Sequence, residues 1–332
     1  MNISFFDNKS NLDELDFKHD ILERMGKLKI DEITNLLFSG LPSSGKTTKI
    51  YALLASIFDK KVYDIKNVEY EEDRKIMSYK SSIYHIEINP TELGSNERLF
   101  ISSFLKTYVE TRNIGLNIPK VIIIKNADLL SKNTQLSLRK IIEKNSFTAR
   151  FIFEVSNMSG FSPALVSRCI IVRIKMPNTL EIKDCLKKMD STIDDTVIDN
   201  IINESNKINQ IINLKKIFGF YRYYLHTGKY FKFLYYDKFI EILNFIGAKK
   251  ISFVSLQKIR EIINEMYINL VSMEELLHFI FNSLCEKYKN NNNFIDKLLG
   301  LTVACDINLK KGNKECLHLE CYVISVIEVL FF

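Results

Sequence analysis

The stretch Gly40-Leu41-Pro42-Ser43-Ser44-Gly45-Lys46-Thr47 constrains this chain's architecture more than any other segment. Two glycines, a lysine and a hydroxyl stand at the spacing of a P-loop, which needs an apolar strand before it and a helix behind it. Both are legible: Leu36-Leu37-Phe38 reads as the strand and Thr47–Phe58 as the helix. In that context backbone N–H groups at the helix N-terminus cradle phosphate oxygens. Lys46 is expected to neutralise the β- and γ-phosphates, and the Thr47 hydroxyl to ligate Mg²⁺ through the nucleotide. Gly40, Ser43, Ser44, Gly45, Lys46, Thr47 and Thr48 form the expected binding set. The alternative is a strand-to-helix turn that binds nothing.

Four further short apolar runs follow: Tyr84–Ile88, Val121–Ile124, Phe151–Val155 and Ile170–Ile174. They are apolar on both sides of the alternation, as strands of a sheet covered on both faces are. Segments such as Thr47–Phe58 and Ser131–Lys144 are long enough to cover it. The expectation is an α/β domain with a parallel five-stranded sheet over residues 1–176. Strand patterning stops after Ile174, and Met176-Pro177-Asn178 breaks the chain. Leu180–Lys188, Asp194–Glu204 and Asn209–Tyr221 predict a helical unit over 177–234, and a second helical unit fills 235–332. In the latter, Ser272-Met273-Glu274-Glu275 predicts a capping box, and Asn290–Asn293 a polar loop.

The composition fits such a protein. With 46% hydrophobic and 26% charged residues the chain can bury sizeable cores, which excludes wholesale disorder. Lys plus Arg number 46 against 40 Asp plus Glu, a mild excess that permits a polyanionic partner without requiring one. The six cysteines form no CxxC pair and none lies in the first 168 residues, so zinc is not expected and a reduced intracellular protein is. No run approaches the ~18 apolar residues of a membrane span, so no membrane partner is expected.

Hydrolysis would need acids at another strand end. After Val121-Ile122-Ile123-Ile124 stand Lys125-Asn126-Ala127-Asp128. A cation beside Mg²⁺ is repulsive and an amide takes no proton from water, so binding without turnover is expected. Asp128 is expected to cap the helix starting near Ser131.

Asn126-Ala127-Asp128, Gln135, Leu138–Lys144, Asn157 and Ser167-Arg168-Cys169, in this order and spacing, resemble the small subunits of replication factor C, the eukaryotic AAA+ clamp loader. Tyr84–Pro90 followed by Gly94-Ser95-Asn96-Glu97-Arg98 is most similar to the small subunit at the open end of the five-subunit arc. The resemblance implies an AAA+ base over 1–176, a helical lid over 177–234 and a helical collar for oligomerisation over 235–332. It implies ATP or ADP with Mg²⁺ as cofactor. Other replication factor C subunits, the sliding clamp and primer–template DNA are the implied partners, and the nucleus the implied location, or the cytoplasm for a viral homologue.

Residue by residue, the resemblance makes Arg168 an arginine finger reaching the neighbouring subunit's γ-phosphate, where the alternative is an ordinary salt-bridged arginine. Asn157 takes the sensor-1 position, with a turn residue as the alternative. Arg98, Arg139 and Lys140 become DNA phosphate contacts, and Ile114 an apolar anchor for the clamp. The departures are equally specific. Phe5-Phe6-Asp7-Asn8-Lys9 replaces the family's adenine box, and Ile211 stands where the lid arginine belongs, with Lys215 one turn away. The aromatic-basic stretch Tyr221–Lys238 reads as a helical core stripe in preference to a base-stacking surface. The rival functions are an independently active P-loop ATPase or kinase, which an acid at 125–126 would favour, and a solitary AAA+ DNA-binding initiator, which would carry an added winged-helix module.

Overall fold

A computed structural model describes residues 20–72, 74–112, 115, 118–189, 194–206, 213–229, 236–247, 253–269, 271–311 and 314–331. Contacts divide the chain into two units, Met1–Thr192 and Ile193–Phe332.

The first unit opens with α1 (Asp20–Met25), β1 (Leu36–Ser39) and α2 (Lys46–Ile57). A hairpin follows, β2 (Lys66–Glu72) and β3 (Lys75–Ser81), and then β4 (His85–Ile88). A helix over 97–109, called α3, widens to a π turn at Ile101–Leu105. After it come β5 (Lys120–Ile124), α4 (Lys132–Lys144), β6 (Ala149–Val155), the single turn α5 (Pro163–Val166), β7 (Ile170–Arg173) and α6 (Thr179–Met189). The sheet order is β2-β3-β4-β5-β6-β1-β7.

All five strands expected from the apolar runs are present and run parallel to their neighbours among themselves. Four of them, β1, β4, β5 and β6, are buried from both sides, while β7 at the sheet edge leaves Ile170 and Arg173 exposed. Leu37, Ile86, Ile122 and Phe153 pack under Phe100 and Leu105 of α3 and Leu138 and Ile142 of α4. Phe38, Val121, Ile123 and Ile152 pack under Leu22 of α1 and Ile50 and Leu53 of α2. Two covered faces explain why these strands lack a polar alternation.

The antiparallel hairpin β2–β3 extends the sheet to seven strands and is an addition to the expected five. Its residues are mostly charged or polar, which hides it from a search for apolar runs. Only Tyr70, Met77 and Tyr79 commit to the core, with Tyr70 and Tyr79 each 4.8 Å (ring centroids) from Phe104.

In the second unit α7 (Asp195–Asn206) and α8 (Leu214–Thr227) precede α9 (Tyr236–Ile246), α10 (Phe253–Ile268), α11 (Met273–Lys287), α12 (Asn292–Lys311) and α13 (Glu315–Phe331). The last five share one core, in which Phe239, Ile263, Leu276, Ile280, Leu298, Val323 and Val326 are buried. Ser272 caps α11 as the capping box predicts, its Oγ accepting the Glu275 N–H at 3.4 Å. The Glu275 carboxylate pairs instead with Lys216 of α8 at 2.7 Å. The asparagine loop is shorter than its composition suggests, because Asn292 and Asn293 already belong to α12 and Asn291 accepts the Phe294 N–H. Within the described part of the aromatic stretch, Tyr221 is buried on the same face of α8 as Leu214, Ile217 and Phe218, whereas Tyr223 and Leu225 are exposed.

Candidate functional site

The P-loop turn takes its shape from its glycines. A Cβ on Gly40 would lie 2.5 Å from the Ile174 carbonyl oxygen, closer than any side chain tolerates. Gly45 is the N-cap of α2 at φ +85°, a left-handed backbone that glycine adopts without strain. It brings no side chain to the first N–H groups of α2, and the helix's first turn holds no acidic residue. Those N–H groups, with the positive end of the helix dipole, therefore face the turn. Ser44 is 2% exposed and its Oγ has no hydrogen-bond partner among the described residues.

Lys46 folds back across the loop, donating to the Gly40 carbonyl (2.8 Å), the Leu41 carbonyl (2.9 Å) and Ser156 Oγ (3.1 Å). Burial draws its ammonium below the ordinary lysine range, and the Glu154 and Asp128 carboxylates pull it part of the way back. Thr47 Oγ1 donates to Glu154 Oε2 at 2.9 Å. A glycine-shaped cradle, free helix N–H groups, an orphaned buried hydroxyl and a lysine held on neutral oxygens suit a chain of phosphates.

Lys125 points elsewhere. Its Nζ pairs with Glu87 of β4 at 2.9 Å, and Glu87 is only 3% exposed. Tyr51 of α2 also donates its hydroxyl to Glu87. His85 Nε2 lies 3.6 Å from the same carboxylate, while its Nδ1 meets Ser82 Oγ at 2.7 Å. Burial, helped by the Lys125 charge, holds His85 down to about 4, and burial raises Glu87 against the pull of Lys125. The cation in the acid's place is thus neutralised by β4, the strand on the side of β5 away from the loop. Asn126 adopts φ +47° and its side chain donates to Asn89 Oδ1 at 3.4 Å.

One sequence expectation needs correction. Asp128 does not cap α4: its carboxylate accepts the N–H groups of Ser156 (3.4 Å) and Asn157 (3.0 Å) at the end of β6, while Ser131 caps α4 by accepting the Thr134 N–H. Asn157 follows at the end of β6. It is exposed, and its Oδ1 accepts the Ser159 N–H as the cap of a short 3₁₀ turn. The residue that β6 delivers to Lys46 is Ser156, one position earlier.

Arg168, at the turn after α5, donates to the Ala164 carbonyl at 2.5 Å and pairs with Glu143 of α4. Glu143 also holds Arg139 at 3.0 Å, and both arginines lower its carboxyl below the usual range, the Arg139 hydrogen bond most. Arg98, Arg139 and Lys140 are all exposed. Glu97, next to Arg98, accepts from Ser131 N (2.9 Å) and Thr134 Oγ1 (3.0 Å), which fastens the start of α3 to the start of α4. Ile114, Ile211 and residues 5–9 lie outside the described residues; Lys215 is exposed on α8.

Sequence reasoning missed Glu87, Glu154 and Ser156. The two acids had a signal: each is a carboxylate inside an otherwise apolar strand, where burial demands a partner.

Residues 25–178 match the family model described as DNA polymerase III, delta subunit. Replication factor C subunit 5 of Neurospora crassa is 30% identical over 185 residues, 53% of each chain. Replication factor C subunit 5 of Saccharomyces cerevisiae is 25% identical over 329 residues, 89% of each chain. Replication factor C subunit 3 of Homo sapiens is 28% identical over 52% of this chain and 51% of its own. Among solved structures, the replication initiator DnaA bound to AMPPCP and single-stranded DNA has TM-score 0.50 at 15% identity, covering 97% of this chain and 99% of its own. That likeness speaks to the fold alone: a P-loop α/β domain followed by helices. The P-loop and the strand order thus stand in a chain whose sequence is similar to replication factor C subunits 3 and 5.

Proposed function

We propose that this chain is a small subunit of a DNA clamp loader, binding adenine nucleotide with Mg²⁺ while its own hydrolysis is lost. The observation that carries the reading is the contrast between a complete phosphate cradle around Lys46 and Thr47 and a strand end where Lys125 is spent on Glu87. Asn126 offers no proton-accepting group to a water. Such a subunit serves the complex through its neighbours. Arg168 leaves its exposed pair with Glu143 on assembly and meets the γ-phosphate held by the adjoining subunit, where a guanidinium stabilises charge on the transferring oxygens.

Arg98, Arg139 and Lys140 contact the phosphate backbone of primer–template DNA without reading sequence, and Ile114 touches the sliding clamp. Residues 177–234 act as the lid and 235–332 as the oligomerising collar of a five-subunit assembly. The kinship with eukaryotic subunits makes the nucleus the working compartment. The test is copurification of the tagged chain followed by mass spectrometry. Four other clamp-loader subunits are expected in stoichiometric amounts, and recovery of the chain alone contradicts the reading.

A further inference from the structure

The carboxylate that touches the P-loop threonine comes from β6. In P-loop sites Mg²⁺ sits between the loop hydroxyl and a carboxylate at a nearby strand end, keeping most of its waters. The acid that hydrogen-bonds the hydroxyl therefore marks the edge of the metal's shell. Here that acid is Glu154, at 2.9 Å from Thr47 Oγ1.

The topology explains how an acid can move there. β6 lies between β5 and β1, and Glu154 pairs with Phe38, two residues before Gly40. Lys125 follows Ile124, whose partner on β6 is Phe153, so it stands one strand farther from the loop. Ile123 and Ile152, two residues before Lys125 and Glu154, both pack in the core under α2. Strand alternation sends Lys125 and Glu154 to that same face. There they meet one row of the helix: Glu154 at Thr47, and Lys125 near the Tyr51 hydroxyl (3.5 Å), four residues on. The unpartnered, buried Ser44 Oγ in the same loop is a second polar atom that a phosphate oxygen would satisfy.

We propose that Glu154 is the acid of this site, positioning the hydrated Mg²⁺ of a bound nucleotide in the role that Lys125 and Asn126 leave open. The inference rests on the nucleotide-binding reading above. Cation-dependent binding then survives without turnover, because the acid that holds the cation has been relocated while none has returned at 126.

The test uses the full chain and a fluorescent ATP analogue, mant-ATP, titrated with MgCl₂ or with EDTA. Mg²⁺ should tighten wild-type binding about ten-fold or more, and Glu154→Gln should remove most of that gain, since groups that orient a bound metal contribute roughly 10–100-fold. Affinity in EDTA should stay level or improve, because a negative charge facing the phosphates has gone. Electron paramagnetic resonance of Mn²⁺ added to the nucleotide complex should show weaker capture by about the same factor. Glu154→Gln keeps an acceptor for Thr47, and a thermal melt checks that it folds. Should it not, Glu154→Asp, which retains the charge on a shorter arm, is expected to weaken Mn²⁺ capture and is overturning if it does not. A wild type that binds mant-ATP with a Mg²⁺ gain unchanged by Glu154→Gln overturns the assignment and leaves nucleotide binding standing. A wild type that binds no mant-ATP with or without Mg²⁺ overturns both.

Discussion

At the loop after β1, every residue that phosphates would meet is of the expected type and stands in the expected turn. Two strands away, after β5, the positions that would carry acids hold Lys125 and Asn126. The difference separates what the fold needs from what the chemistry needs. Gly40 and Gly45 are fixed by backbone geometry: a side chain at the first meets a carbonyl oxygen, and at the second is strained. The strand-end residues carry no such burden. An acid there can become a cation without loss of the sheet, provided that another buried group balances the charge, and Glu87 does so. Binding and turnover are therefore separable in this architecture.

The largest effect should come from a residue outside both regions. If the subunit works through its neighbour, Arg168→Ala slows hydrolysis at the adjoining site of a reconstituted complex by about 10³-fold or more. Assembly and this chain's own nucleotide binding should stay unchanged. A wild-type rate would show that Arg168 belongs only to its pair with Glu143.

Next comes the charge balance at the strand end. Lys125→Ala leaves Glu87 buried without its cation, which should cost about 3 kcal/mol of stability, the low end of such losses because Glu87 can take up a proton instead. Urea denaturation reads this directly. An unchanged midpoint would mean that Lys125 is free to face the nucleotide after all.

A smaller effect follows from His85, whose imidazole faces Glu87, Lys125, Tyr51 and Ser82. Its folded pKa, about 4, lies below the unfolded value near 6.5, so the unfolded chain binds the proton first on acidification. Its contribution is complete above pH 6.5 and is lost as pH falls towards about 4, by about 2–3 kcal/mol at pH 4.5. Glu87, raised by burial, works in the opposite direction. The effect is therefore read as the difference between wild type and His85→Gln at pH 7 and at pH 4.5. Equal acid losses in the two proteins would remove His85 from the balance.

Much of the first region was legible because its signals are local. The P-loop spacing, the apolar runs of the five parallel strands and, in the second unit, the Ser272 cap each follow from a few adjacent residues. What stayed hidden depends on strands meeting across the sheet. Glu154 and Lys46 are far apart in the chain, and only the β6–β1 pairing brings them to one loop. Ser156, which reaches Lys46 from the end of β6, carries no local signal, because sequence spacing is least informative at a strand end. The hairpin β2–β3 was invisible because its outer face is charged and its inner face needs only three aromatic or sulfur-bearing side chains. Glu143, the partner of Arg168, was not legible either, since the pair joins two elements 25 residues apart.

The most direct test of a site that binds without turning over is a paired measurement on the purified full chain: adenine-nucleotide affinity in Mg²⁺ and steady-state phosphate release, for wild type and Lys46→Ala. The account predicts saturable binding by wild type, about 100-fold weaker in Lys46→Ala as a buried charge-assisted phosphate contact is lost, with phosphate release at the level of buffer for both. Steady turnover by wild type that Lys46→Ala abolishes would contradict it.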